Sequence, residues 1–257
     1  MEFENIILEK KGHVGILTIN HPPANAVNLA TLLDMQNALN DLESDKNIRA
    51  IIFTGAGEKG FSAGFDVSDA ANGDKCSYIG TGLWTRIDRL TKPTIAAING
   101  FALGGGCELA MACHFRIMVD APKALIGLPE LNLGIIPAWG GTQRMTRMLG
   151  RAKALDIILF SKRLTAPEAL AIGLVDKVSA PGEVLKDALE MANLLAERPP
   201  LAVSVVLKSV SDGLEYGTDA GLRAEFEGVT RVIGTSKDAM EGFAAFLEKR
   251  KPNFKGE

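Results

Sequence analysis

The stretch NGFALGGGCELAMAC at residues 99–113 joins a loop of consecutive glycines to an apolar segment that carries a single acid. The residues before it, TIAAI at 94–98, predict a short buried strand that ends at this loop. Residues 107–113 predict a short apolar helix. A strand, a glycine loop and a helix in succession favour an α/β fold, in which helices cover the faces of sheets.

A similar alternation runs through roughly the first 130 residues, which supports the α/β interpretation. Residues 6–9 and 14–19 predict a hairpin around Lys11-Gly12, and residues 50–54 predict a buried strand ending in glycines. A helix follows Asn28, whose side chain can cap the first turn. The other predicted elements are a strand at 115–119 and helices at 142–160 with a break near Gly150, at 184–197, 201–214, 222–233 and 239–249.

No linker rich in Ser, Gly or Pro and no block of like charge divides the 257 residues. We therefore expect one α/β core, at residues 1–199, that continues into a helical C-terminal region at residues 200–257. The formal net charge of −3 and the scattered basic residues argue against a nucleic-acid partner.

The N-terminal MEFENIILEKK lacks the basic start and the apolar run of a signal peptide, so we expect a cytoplasmic protein. The longest uncharged stretch, residues 93–107, is too short to span a bilayer, so we expect no membrane partner. The three cysteines form no CxxC pair and are expected to be reduced thiols.

Gly104-Gly105-Gly106 stands directly before the predicted apolar helix. The first backbone N–H groups of a helix have no partner within it, and the helix dipole attracts negative charge there. The loop therefore fits an oxyanion. Alternatively, the glycines serve only close packing or a turn with positive φ.

Glu108 and Glu130 each lie among apolar neighbours, the first in CELAM and the second in LPEL. Burial raises the pKa of a carboxyl group and makes it a candidate acid or base. Alternatively, Glu108 only complements the helix dipole, and Glu130 only closes a loop by a hydrogen bond. Two such acids together favour acid–base chemistry.

The three histidines, His13, His21 and His114, have no spacing that suits zinc, so we expect no metal. The sequence also lacks a nucleophile elbow and a Walker-type loop.

Five segments, in this order, resemble the signature segments of the crotonase (enoyl-CoA hydratase/isomerase) family and extend over nearly the whole chain. They are FSAGFDV at 61–67, INGFALGGGCELAMAC at 98–113, GLPELNLGIIPAWGGTQR at 127–144, LTAPEALAIGLVDKV at 164–178 and FAAFLEKRKPNF at 243–254. The resemblance implies a crotonase-type spiral of ββα units with a helical C-terminal trimerisation region, in a homo-oligomer that is a trimer or hexamer.

The resemblance also implies a reaction, the addition of water across the 2,3-double bond of an enoyl-CoA to give a 3-hydroxyacyl-CoA, as in fatty-acid β-oxidation. Glu108 and Glu130 match the family's catalytic glutamates, and the backbone N–H groups of Phe65 and Gly105 match its oxyanion hole. Coenzyme A is then part of the substrate, and no separate cofactor is expected. The positions expected to bind substrate or coenzyme A are Ala24, Ala26, Ala63, Gly64, Asp66, Val67 and Lys249.

Three residues depart from the family pattern, Phe65, His114 and Trp139, and they suggest a narrower or aromatic-lined acyl pocket. The sequence therefore leaves open a cyclic or dienoyl-CoA hydratase and also a CoA-thioester isomerase, decarboxylase or hydrolase of the same family. An alternative of another class is a binding or scaffold protein of the same fold.

Overall fold

The computed structural model describes residues 3–57 and 59–257. Its strands are β1 (Ile6–Lys11), β2 (Val14–Ile19), β3 (Ala26–Val27), β4 (Ala50–Gly55), β5 (Gly60–Ser62), β6 (Gly64–Phe65), β7 (Thr94–Ile98), β8 (Phe101–Leu103), β9 (Phe115–Val119), β10 (Ile126–Gly127), β11 (Arg163–Leu164) and β12 (Lys177–Ser179). Its α-helices are α1 (Leu29–Ser44), α2 (Gly73–Asp88), α3 (Gly105–Ala112), α4 (Gly141–Leu149), α5 (Arg151–Leu159), α6 (Ala166–Ala171), α7 (Val184–Ala196), α8 (Pro200–Tyr216), α9 (Thr218–Thr235) and α10 (Lys237–Glu248). Two 3₁₀ helices span Val67–Asn72 and Glu130–Leu133.

The larger sheet has six strands in the order β1-β2-β4-β7-β9-β12. The antiparallel hairpin of β1 and β2 confirms the prediction from the sequence, and the pairs from β2 to β12 are parallel. Every residue of β4 and β7 is buried, as expected for parallel strands covered on both faces. The predicted strands at 50–54, 94–98 and 115–119 are therefore confirmed.

The smaller sheet has four strands in the order β11-β10-β8-β5, and β3 pairs with β6 in a separate ribbon. Along the chain, a strand of the large sheet, a strand of the small sheet and a helix follow one another three times: β4-β5-α2, β7-β8-α3 and β9-β10-α4. This repetition is the spiral of ββα units that the resemblance implies. The small-sheet strands are two or three residues long, too short to give a periodic pattern, so the local sequence does not predict them.

Helix α1 begins where the sequence predicts, because the Asn28 side chain accepts a hydrogen bond from the Thr31 N–H at 2.8 Å. Helix α2 was not predicted from the sequence. Its buried face holds Cys76, Leu83, Trp84 and Ile87, but three glycines interrupt the apolar pattern.

The C-terminal segment consists of α8, α9 and α10, as the helical pattern predicts. No residue of α8 is buried, and the three helices expose large apolar side chains such as Phe226, Phe246 and Leu247. The helices within residues 3–57 and 59–257 are each too short or too polar to form a membrane span. The division at residues 1–199 and 200–257 stays a prediction.

Candidate active site

A cavity of about 340 Å³ lies between α2, the start of α3 and the segment that follows β10. Both glutamates singled out in the sequence face this cavity. The residues that line it are Ala63, Phe65, Val67, Gly73, Ser77, Gly104, Gly105, Glu108, Pro129, Glu130, Leu133, Ile135, Ile136, Ala138 and Trp139.

Glu108 lies in the first turn of α3 and is 2% exposed. Its Oε1 accepts hydrogen bonds from the backbone N–H groups of Trp139, at 2.8 Å, and Gly141, at 2.7 Å. Burial raises the pKa of Glu108 to about 7, while these two N–H groups and the positive charge of Arg144 oppose the rise. Oε1 is therefore held in place by two donors that favour the ionised carboxylate.

Glu130 begins the 3₁₀ helix Glu130–Leu133 and is 9% exposed. Its Oε2 is buried and has no hydrogen-bond partner among the described residues. Burial raises the pKa of Glu130 to about 7, and the negative charge of Glu108 adds to this rise.

Gly64 packs against Gly105 beside the cavity, next to the two residues whose N–H groups are the candidate oxyanion donors. Its φ is +85°, and a Cβ at this position would lie 2.6 Å from the N of Gly105, so only glycine fits. Gly105 is the first residue of α3, where an N–H group has no acceptor within the helix. Phe65, the residue after Gly64, also lines the cavity, so its N–H is the second candidate donor at this edge.

The other residues predicted from the resemblance lie at or beside this edge, with one exception. Ala63 and Val67 line the cavity, and the Ala63 N–H donates to the Ala24 carbonyl at 3.1 Å. Ala26 pairs with Gly64 across the short ribbon. Asp66 caps the 3₁₀ helix Val67–Asn72 by accepting from the Ser68 N–H.

Lys249 is the exception. It ends α10 in a left-handed conformation and does not line the cavity within the single chain. A role for Lys249 in binding coenzyme A therefore stays a prediction, and it requires that a neighbouring subunit bring Lys249 to the cavity.

The cavity wall is aromatic, as the departures at Phe65 and Trp139 suggested. Trp139 is 4% exposed and packs edge-on against Phe65, at 6.3 Å between ring centroids, and against Trp84, at 5.2 Å. His114, in contrast, lies away from the cavity, and its Nδ1 accepts from the Thr94 N–H at 3.0 Å. Burial lowers the pKa of His114 to about 4, so the imidazole is neutral, and the expectation that it shapes the acyl pocket is wrong.

Sequence reasoning missed the part of the wall that α2 and the 129–138 segment supply. Gly73 and Ser77 of α2, together with Leu133, Ile135 and Ile136, line the cavity. The apolar residues at 76, 79, 83, 84 and 87 have helical spacing and were the one signal that could have placed α2.

Within the described ranges, no group of three or more His, Cys, Asp and Glu side chains could hold a metal. The expectation of no metal and no separate cofactor stays a prediction.

The chain is similar to known proteins over its whole length. Residues 9–257 match the family model described as enoyl-CoA hydratase/isomerase. The short-chain-enoyl-CoA hydratase of Clostridium acetobutylicum is 42% identical, with 98% of this chain and 97% of that protein covered. The crotonyl-CoA hydratase of Syntrophomonas wolfei is 40% identical, with 99% of each covered.

A solved structure, the enoyl-CoA hydratase of Bacillus anthracis, superimposes with a TM-score of 0.94 at 38% identity and covers 99% of this chain and 100% of that chain. Matches of this extent and identity, together with the spiral of ββα units and the two glutamates in one cavity, show that the chain belongs to the enoyl-CoA hydratase/isomerase family.

Proposed function

We propose that this protein is a hydro-lyase, an enoyl-CoA hydratase that adds water across the 2,3-double bond of a short-chain enoyl-CoA to give a 3-hydroxyacyl-CoA. The observation that carries the proposal is the pair of buried carboxyl groups, Glu108 and Glu130, each with a pKa near 7, in one largely apolar cavity. The two relatives named as short-chain-enoyl-CoA hydratase and crotonyl-CoA hydratase support the same reaction.

The hydrogen bonds assign a different task to each glutamate. Glu108 accepts two backbone N–H bonds, which favour its ionised form, so it is the base that takes a proton from water. Glu130 has an oxygen without a partner and faces the charge of Glu108, so it is the group that keeps a proton and delivers it to the α-carbon.

Attack of water at the β-carbon moves negative charge onto the thioester oxygen. The backbone N–H groups of Phe65 and Gly105 are the donors that we assign to this oxygen. Fixed donors bind the enolate more tightly than the ground state, which lowers the barrier. Coenzyme A enters as part of the substrate, along the segments that contain Ala24 and Ala63.

The decisive experiment is turnover of a panel of acyl-CoA thioesters, followed by mass spectrometry. A hydratase adds the mass of one water to crotonyl-CoA, whereas an isomerase leaves the mass unchanged, a decarboxylase releases carbon dioxide and a hydrolase releases free coenzyme A. Crotonate without coenzyme A is the control, and we expect no turnover of it because the nucleotide arm supplies most of the binding energy. Turnover without gain of water would overturn the proposal.

The pH dependence follows from the two raised pKa values. Lowering the pH below about 7 protonates Glu108 and removes the base, and raising it above about 7 ionises Glu130 and removes the acid. We therefore expect kcat/KM to follow a bell with its maximum near neutral pH when measured between about pH 5 and about pH 9. A profile that stays flat across this range would contradict the assignment.

Trp139 is expected to limit the length of the acyl chain, because its indole fills the wall between Phe65 and Trp84. Trp139→Ala should raise kcat/KM for a medium-chain enoyl-CoA relative to crotonyl-CoA by about 10- to 100-fold, since each accommodated methylene gains binding energy. The matched control is Leu133→Ala, which removes an apolar side chain that lines the same cavity and is 65% exposed. An unchanged preference in folded Trp139→Ala would show that another residue sets the length.

The oligomeric state is part of this proposal. The apolar side chains on α8, α9 and α10 include Phe226, Phe246 and Leu247, each more than 70% exposed in the single chain. Faces of this kind are covered in stable proteins, so we expect trimers or hexamers by light scattering and a lower mass for Phe226→Asp. A parent protein that is monomeric and fully active would contradict the expectation.

A cytoplasmic location and a place in fatty-acid β-oxidation belong to the same proposal.

A further inference from the structure

The turn at residues 139–141 is held from both sides by charged side chains. On one side, the N–H groups of Trp139 and Gly141 donate to Glu108 Oε1. On the other side, Arg144 Nη1 donates to the Trp139 carbonyl at 2.7 Å. The Trp139 residue therefore links the guanidinium of Arg144 to the carboxylate of Glu108 through its own backbone.

Arg144 is itself buried, with 5% of the residue exposed. Its Nε lies 3.2 Å from Oδ2 of Asp88, the last residue of α2. A buried guanidinium is costly unless it is paired and hydrogen-bonded, and here both conditions are met. The guanidinium packs so closely against Gly140, whose φ is +101°, that a Cβ there would collide with Nη1. The turn and the arginine therefore fix each other.

We propose that Arg144 is a positioning residue for Glu108: held by Asp88, it fixes the 139–141 turn whose two N–H groups orient the base and keep it ionised. Arg144 does not line the cavity, so it acts on the reaction only through the turn and through its charge. The inference rests on the proposed function, because it assigns Glu108 the role of base.

The charged groups around α3 support a local effect of Arg144 on Glu108. Four charged residues lie on the elements around α3: Arg144 on α4, Asp88 on α2, Glu130 on the 3₁₀ helix Glu130–Leu133, and Arg116 on β9. Strands β5 to β8 carry no charged side chain. Burial raises the pKa of the Cys107 and Cys113 thiols and lowers that of His114, so these three groups are neutral at neutral pH.

Of these groups, Arg144 is the cation that lowers the pKa of Glu108. Its removal therefore raises the pKa of the base.

The test is the pH profile of Arg144→Gln. Loss of the positive charge and of the anchored turn should raise the pKa of Glu108 by about half to one unit, at or below the low end of the roughly one to three units that a directly paired charge gives, because Arg144 acts on Glu108 through the turn. A higher pKa leaves less ionised base at low pH. The ratio of variant to parent kcat/KM should then be about two- to fivefold lower at about pH 6 than at about pH 8, with KM little changed.

Two further variants separate this role from a general effect on folding or charge. Arg147→Gln removes a neighbouring cation of α4 that lies 3.6 Å from the same Asp88 but makes no hydrogen bond to the turn, so its pH profile should match the parent. Arg144→Lys keeps the charge but cannot reach both the Trp139 carbonyl and Asp88 with its single ammonium group. Its acid limb, the low-pH side of the pH profile, should therefore lie between those of the parent and Arg144→Gln. If Arg144→Gln does not fold, the smaller shift of the acid limb in Arg144→Lys decides whether the proposal holds.

The proposal is overturned if a folded Arg144→Gln or, in its absence, Arg144→Lys has the acid limb of the parent, or if Arg147→Gln shifts it equally. A loss of activity that is uniform with pH also overturns it, because that is the mark of a purely structural residue. Failure of the hydratase assignment is distinguishable, since the parent protein would then lack hydration activity altogether.

Discussion

Glu108→Gln and Glu130→Gln are each expected to lower kcat for hydration by about 10²- to 10⁴-fold, the usual contribution of a positioned acid or base. Glutamine keeps the size of the side chain and its ability to accept a hydrogen bond at Oε1, so the two N–H donors at Glu108 keep a partner. Proton transfer is lost, together with the negative charge of the ionised carboxylate. Affinity for the acyl-CoA should therefore change far less than kcat.

The double variant distinguishes a concerted pair from two independent groups. Because both carboxyl groups act in one transition state, the double loss should be smaller than the product of the single losses. Glu168→Gln is a suitable control, since Glu168 caps α6 outside the cavity and should leave kcat unchanged. If either folded single variant hydrates its substrate at nearly the parent rate, a one-acid isomerase, decarboxylase or hydrolase becomes the better assignment.

Gly64→Ala is expected to lower kcat by about 10²- to 10³-fold, the effect of losing one donor from an oxyanion hole. The added Cβ would lie 2.6 Å from the N of Gly105 and 2.7 Å from the carbonyl of Leu103, so β6 and the start of α3 must separate. The Phe65 and Gly105 N–H groups would then no longer converge on one oxygen. Steady-state kinetics with crotonyl-CoA measures the loss.

The matched control for Gly64→Ala is Gly182→Ala. Gly182 has a φ of +83°, nearly that of Gly64, but no atom lies within 4 Å of the added Cβ. Both variants therefore place a Cβ at a similar positive φ, and only Gly64→Ala changes the approach of the two donors. The temperature of thermal unfolding should fall in both variants, whereas kcat should fall only in Gly64→Ala. A folded Gly64→Ala with parent kcat would exclude these backbone N–H groups as the oxyanion donors.

The sequence predicted the large sheet well, because its strands carry strong local patterns. The runs at 50–54 and 94–98 are short, apolar and bounded by glycine, and both form buried parallel strands. It predicted the small sheet poorly. Strands such as Ile126–Gly127 are held by pairing with chain segments distant in sequence, and two residues cannot display an alternation.

The sequence by itself determined the family, the fold class and the two glutamates, because each rests on a contiguous motif whose chemistry is local. Only the tertiary structure decided how Glu108 is held, since its donors lie 31 and 33 residues away in the chain, in the turn that Arg144 anchors. It also decided which of the three departures from the family pattern line the cavity: Phe65 and Trp139 do, and His114 does not. These outcomes depend on which loop packs against which helix, and long-range packing leaves no periodic trace in the sequence.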